Sequence, residues 1–147
     1  MIYDITFIVP GNPQELKRHR TFRRGTFTGQ YDPSKGDKAD FLAKAMLFKP
    51  DVPFDEPLSV ALSFYFQRPK AHYRSGKKAH LLKENAPIWH TKTPDADNLV
   101  KFVCDALNGI FWKDDSRICE LSIVKQFSIT PHIGIQIKRL GNVKTPR

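Results

Sequence analysis

Four aspartates stand in two close pairs, Asp95 with Asp97 and Asp114 with Asp115, in a chain that is otherwise strongly basic. Carboxylates crowded in this way point to a hard divalent cation. Three of them within about 5 Å would repel by roughly 3 kcal/mol per pair at an effective dielectric near 20. A cation among them relieves that cost. An incomplete cage of hard oxygen ligands suits Mg²⁺ or Mn²⁺, which keep waters and bind substrate phosphate. Lys101 follows Asp97 by one helical turn, so both side chains can project toward one point. Carboxylates, a cation and an ammonium group together suit phosphodiester chemistry.

The element that must position these groups is a helix. Leu99, Phe102, Val103, Ala106 and Leu107 form one stripe of a 3.6-residue period. Asp95, Asp97 and Asn98 fall at its start, where free backbone N–H groups favour short oxygen-bearing side chains. Pro94 keeps Thr93 extended and so limits where the helix can begin. Gly109 follows Asn108 where a left-handed stop residue is expected. Ordinary readings stand beside the chemical one. Asp97 caps the helix, Asp95 is a loop acid, and Asp97, Lys101 and Asp105 form a surface ladder worth a few tenths of a kcal/mol per pair. Asp114 and Asp115 then only mark a turn. The conjunction favours the chemical reading, because capping needs one acid, not two pairs.

The run P-D-x-D-N-L-x-K-x-x-x-D-A-L-N-G, followed by W-x-D-D-S, spans Pro94 to Ser116 and resembles the signature of the RusA family of Holliday junction resolvases. A looser match, G-N-P-Q-E-L-K-R-H-R, covers Gly11 to Arg20. The resemblance implies a small, homodimeric, Mg²⁺-dependent endonuclease of bacteria and their prophages. It implies that Asp95, Asp97 and Asp115 are the essential acids and that Lys101 is the functional lysine. Asp114 is then a fourth ligand or merely the outer partner of its pair. Asp105 is left with structural work, a salt bridge to Lys101 or to a neighbouring chain.

Composition agrees with a polyanionic partner. Lys and Arg number 24 against 15 Asp and Glu, a net charge of +9 over 147 residues. Nucleic acid is the first candidate, anionic membrane the second, and a merely soluble basic protein the plain alternative. The length suits one domain that needs no staple. The two cysteines, Cys104 and Cys119, make neither a disulfide framework nor a zinc pair, and read as small buried hydrophobes in a reducing compartment. No apolar run reaches the length of a membrane span, and the amino terminus lacks a signal-peptide pattern, so a cytoplasmic setting without membrane attachment is expected.

In chain order, Ile2 to Val9 alternates as a strand. Lys17, Arg18, His19, Arg20, Arg23 and Arg24 follow on a loop or hairpin with Phe22 and Phe27 interleaved, a phosphate-contact surface or else a solvated basic loop. Tyr31 to Ser34 reads as a turn and Asp37 to Lys49 as a helix, with Phe41, Leu42, Ala45 and Phe48 inward. Leu58 to Gln67 alternates strictly as a strand. Arg68 to Lys92 then carries Arg68, Lys70, Arg74, Lys77, Lys78, Lys83 and Lys92 against one acid, Glu84. It reads as a long, partly mobile segment that feeds DNA toward the acids. Its histidines, His72, His80 and His90, lack close zinc-ligand spacing. Tyr73 and Trp89 suit either stacking on unpaired bases or pinning the loop, and pinning is the favoured reading for Trp89. Arg117 to Ser128 and Ile133 to Lys138 complete the strands, and Gly141 to Arg147 reads as a frayed basic tail. The expected architecture is a single α+β domain. It has a mixed or antiparallel sheet of about four strands, with two main helices against one face.

The function implied is hydrolysis of DNA phosphodiesters at four-way junctions by paired nicks, with Mg²⁺ (or Mn²⁺) as the only cofactor. A C2 dimer supplies two sites in the required symmetry. Two other functions fit the same residues. One is a non-catalytic nucleic-acid binder that ignores Mg²⁺. The other is a metal-dependent nuclease acting on flaps or RNA.

Overall fold

The computed structural model describes residues 2–141. Its main sheet has four strands: β1 (Ile5–Pro10), β4 (Leu58–Gln67), β5 (Ile118–Ser128) and β6 (His132–Arg139), in the order β1-β6-β4-β5. A separate hairpin joins β2 (Arg20–Arg24) to β3 (Phe27–Tyr31). The helices are α1 (Lys35–Ala45) and α2 (Ala96–Leu107). This is the mixed-sheet α+β fold expected. The tail expected to fray lies, beyond Gly141, outside the described residues.

β4 follows the period of two to the residue. Leu58, Val60, Leu62, Phe64 and Phe66 are buried, and the residues between them are half-buried. β6 pairs antiparallel with both β1 and β4, which stacks Ile135 between Phe7 and Leu62. β5, by contrast, runs parallel to β4. A parallel pair needs a crossover rather than a hairpin, and residues 68–117 supply it, with α2 inside. The crossover lays α2 on the sheet. Leu99, Phe102, Val103, Ala106 and Leu107 are all buried in one cluster with the strands and with Phe41 and Ala45 of α1. Phe41 meets Phe102 edge-on at 5.9 Å. Burying one such side chain contributes about 1.5–3 kcal/mol, so α2 is fixed more by this stripe than by its own propensity.

Three local expectations change. α1 starts at Lys35, with the fully buried Ser34 at its N-cap position, and ends in a short 3₁₀ turn, Met46–Phe48. The Arg68–Lys92 segment has structure of its own. It holds two 3₁₀ turns, a Tyr73–Leu82 bridge, and backbone bonds from Arg74 to Leu81 and from Lys83 to His72. Cys119 is exposed, not buried, while Cys104 is half-buried; both thiols are free. β5 is the edge strand of the sheet, and Cys119 sits at the register shift where β4 offers it no partner. Leu121 and Ile123 pair with core-facing Val60 and Leu62, yet remain 44% and 38% exposed.

Candidate active site

The acids divide between two supports. Asp95 is the N-cap residue of α2, in extended backbone, yet its carboxylate makes no capping bond. Asp97 sits in the first turn, exposed, and pairs with Lys101 at 3.8 Å. Capping therefore accounts for neither side chain. Both lie at a helix start, where the backbone dipole favours negative charge.

The backbone that carries them is strapped to the sheet edge. His90 N–H donates to the Lys125 carbonyl (3.1 Å) and Phe127 N–H to the Ile88 carbonyl (2.9 Å), with a Trp89–Gln126 bridge between. The Lys125 ammonium donates to the carbonyls of Lys92 (2.7 Å) and Pro94 (2.6 Å). A charge-assisted donor thus holds the backbone immediately before Asp95.

Asp115 rests on the core. The fully buried Trp112 donates its indole N–H to Asp115 Oδ1 at 2.7 Å. Burial pushes the Asp115 carboxyl above its ordinary range, the indole bond works against that, and the charges of Asp114 and Asp105 add to it. Asp114 has a turn to cap. Its carboxylate accepts from Ser116 N–H at 2.9 Å, which holds its titration low together with the nearby Arg117. Burial, then the charges of Asp115 and Asp105, push the Cys104 thiol up to about 12, so it stays protonated at neutral pH.

Lys101 connects the two supports. It pairs with Asp97 and lines, with Asp105 and Asp115, one open groove of about 490 Å³ whose floor is Leu16, Val100, Cys104, Ile118 and Leu121. The nest of three carboxylates is not closed: among the described residues, no three His, Cys, Asp or Glu side chains stand together as a ligand set. Like charges gain by standing apart, and the exposed Asp95 and Asp97 are free to do so. The donor chemistry fits a hard divalent cation. Every candidate oxygen is a carboxylate, Asp95 is unbonded, and Asp115 is crowded by negative charge.

Asp105 pairs not with Lys101 but with Lys38 of α1, at 3.0 Å; Lys38 also pairs with Asp32 at 2.6 Å. Burial works against the charge of Lys38, but the bonds to Asp32 and Asp105 hold its ammonium above the ordinary range. This triad ties the foot of the hairpin and α1 to α2.

Of the basic residues, Lys17, Arg18, Arg20, Arg23 and Arg24 are all exposed on or before the hairpin. Leu16 N–H donates to the Asn98 carbonyl (3.2 Å) and Lys17 N–H to Ser34 Oγ (2.8 Å), so this arm starts beside the first turn of α2. Lys70, Lys77 and Lys78 are exposed as well. Arg68 and Arg74 are half-buried and donate to the carbonyls of Pro87 (2.7 Å) and Leu82 (3.2 Å). Each guanidinium thus braces the fold of the loop itself. The structural roles of Trp112, Lys125 and Lys38 escape sequence reasoning. The tryptophan of W-x-D-D-S is the only one with a visible signal.

Comparison with known proteins accords with this site. Residues 10–138 match the family model described as Endodeoxyribonuclease RusA. The chain is also 32% identical over 139 residues to the Bacillus subtilis (strain 168) protein named "Uncharacterized protein YqaN", a match spanning 93% of this chain and 97% of that one. The family match thus puts the chain among endodeoxyribonucleases. The chain belongs to the RusA endodeoxyribonuclease family.

Proposed function

We propose that this protein is a divalent-cation-dependent endonuclease that resolves four-way DNA junctions as a symmetric dimer. The observation that carries this reading is the arrangement around Lys101. Its ammonium pairs with Asp97 and shares a groove with Asp115, while the neighbouring Asp95 carboxylate is unused by the helix it caps.

Asp95, Asp97 and Asp115 would hold Mg²⁺, with Mn²⁺ able to substitute. When bound, such an ion polarises a phosphoryl oxygen and lowers the pKa of its water. The chain's own groups do the rest. Lys101 offers positive charge to the scissile phosphate. The Trp112 indole fixes one oxygen of Asp115 and leaves the other to face the groove. Lys125 fixes the backbone phase of Asp95. The exposed cations of the hairpin and of Lys70, Lys77 and Lys78 contact flanking phosphates.

Two nicks related by a two-fold axis need two such sites. The uncovered edge of β5, with Leu121 and Ile123 beside the Asp115 groove, is the surface where a second copy would pack. The two free thiols accord with a reducing, cytoplasmic setting.

The test is cleavage of a synthetic immobile four-way junction with and without Mg²⁺, beside flap, duplex and RNA substrates. Paired symmetric nicks that require the ion are expected. Binding without cutting, or preferential cutting of flaps or RNA, would overturn the reading.

A further inference from the structure

A second cavity lies next to the acids and is absorbed by none of the roles above. It measures about 420 Å³, within the range of roughly 300–1,000 Å³ usual for small-ligand pockets. Phe66, His72, Trp89, His90, Phe127 and Thr93 line it. Thr93 is two residues before Asp95, so one wall of this pocket is continuous with the backbone that carries the acids.

Its walls are aromatic and unequally held. His90 stacks on Phe66 with centroids 3.9 Å apart and 17° between planes, and His72 meets Phe127 edge-on at 4.7 Å. His90 Nδ1 is buried without a hydrogen-bond partner, so stacking rather than a polar bond places that ring. Trp89 is the outlier. Its backbone is locked to β5 by the bridge to Gln126 and by the bonds on either side, yet the residue is 58% exposed. The strap needs only the Trp89 backbone. Pinning explains why residue 89 is ordered; it does not explain why a large aromatic ring faces water there.

The charge around the pocket selects among aromatic-loving ligands. Arg68, Lys83 and Lys92 lie close enough to His72 to oppose its protonation, and burial acts first in the same direction. Burial, then Lys125 and Lys92, does the same to His90. Neutral aromatic rings within a cationic rim suit a flat heterocycle that carries phosphate on its tether.

We infer that this pocket takes one unstacked nucleobase from the DNA strand whose phosphate lies at the acids, with the Trp89 indole as the stacking platform. The inference rests on the nuclease reading above. In paired duplex every base is stacked and unavailable. At a branch point a base can leave the stack at small cost, so the pocket would convert branching into correct placement of the phosphate.

The chain has two tryptophans, and Trp112 is fully buried, so emission accessible to a bound base comes from Trp89. The experiment titrates the full chain with an immobile four-way junction in Ca²⁺, with a paired duplex of the same arm sequence, and with a short oligothymidine. Junction and oligothymidine should quench Trp89, and duplex should not. A 2-aminopurine placed in turn at each position near the branch should respond at one position. Trp89→Ala should weaken junction binding about tenfold and Trp89→Phe should restore most of it, since stacking sets the loss.

Junction binding with unchanged Trp89 emission, or equal quenching by duplex, would overturn the pocket. The fluorescence of the wild-type chain decides this even if Trp89→Ala fails to fold. Symmetric cutting without quenching would sink the pocket and spare the nuclease. Quenching by oligothymidine without junction cutting would do the reverse.

Discussion

The two halves of the acidic site are built in opposite ways. Asp115 hangs from a buried indole at the end of the core, half-covered and crowded by Asp105 and Asp114. Asp95 and Asp97 stand exposed at the start of α2; the backbone before Asp95 is held by the strap and by Lys125, and among the described residues the only side-chain tie is the exposed pair of Asp97 with Lys101. One half is thus fixed through its side chain and the other through its main chain. In the proposed reading the fixed half would set where a cation sits, and the exposed half would supply further carboxylates to it. Among the described residues the carboxylates do not stand together as a ligand set, which spares the fold the repulsion of three bare charges.

Breaking either half at its carboxylate should have the largest effect. Asp95→Asn and Asp115→Asn should each abolish junction cutting while leaving junction binding at least as tight, by gel shift in Ca²⁺. Comparable cutting by Asp95→Asn would remove that residue from the mechanism. The next effect separates the supports. Trp112→Phe keeps the buried ring and removes the donor to Asp115; it should lower cutting by about 10–100-fold, the usual loss for an outer-shell partner. It should also raise the Mg²⁺ concentration needed for half-maximal rate.

Lys125→Met should act more mildly, because the backbone bonds of the strap remain. A loss of about tenfold is expected, with junction affinity unchanged and partial rescue by Lys125→Arg. A drop in affinity equal to the drop in rate would make Lys125 a DNA contact instead.

The smallest effect concerns stability away from the site. Asp32 is held low by its bonds to Lys38 and Ser34, Asp55 by Arg117 and Lys113, and Asp4 by Arg139. Carboxylates with depressed folded-state values stabilise above their unfolded value of roughly 3.9 and lose that contribution as pH falls through the folded values. Thermal unfolding followed between pH 5 and 2 should show Tm falling across this window. Lys38→Met should flatten the fall and lower Tm modestly at neutral pH, with junction cutting nearly intact.

The same division explains what the sequence made legible. The α2 stripe and the β4 alternation are local periodicities, and both appear in the structure residue for residue. Gly109 takes the expected left-handed conformation, at φ 79°. Strand direction is not periodic, so the parallel β4–β5 pair is hidden, although the long span between them hints at a crossover. The supports of the site are long-range and carry no pattern. Lys125 reaches Pro94 from 31 positions away, and Lys38 reaches Asp105 from 67. Asp105 was left with a salt bridge to Lys101 or to a neighbouring chain, and no local pattern points to Lys38. The exposure of Cys119 and Leu121 goes with the edge position of β5 and its register shift, which residue types along β5 do not encode.

The central claim is that the two halves serve one cation. Mn²⁺ binding to the full chain, measured by electron paramagnetic resonance for wild type, Asp95→Asn, Asp115→Asn and the double variant, tests it most directly. Each single substitution should weaken the same site by at least about tenfold, and the double variant should lose much less than the sum, as coupled ligands do. Undiminished Mn²⁺ affinity in Asp115→Asn, or strictly additive losses, would contradict it.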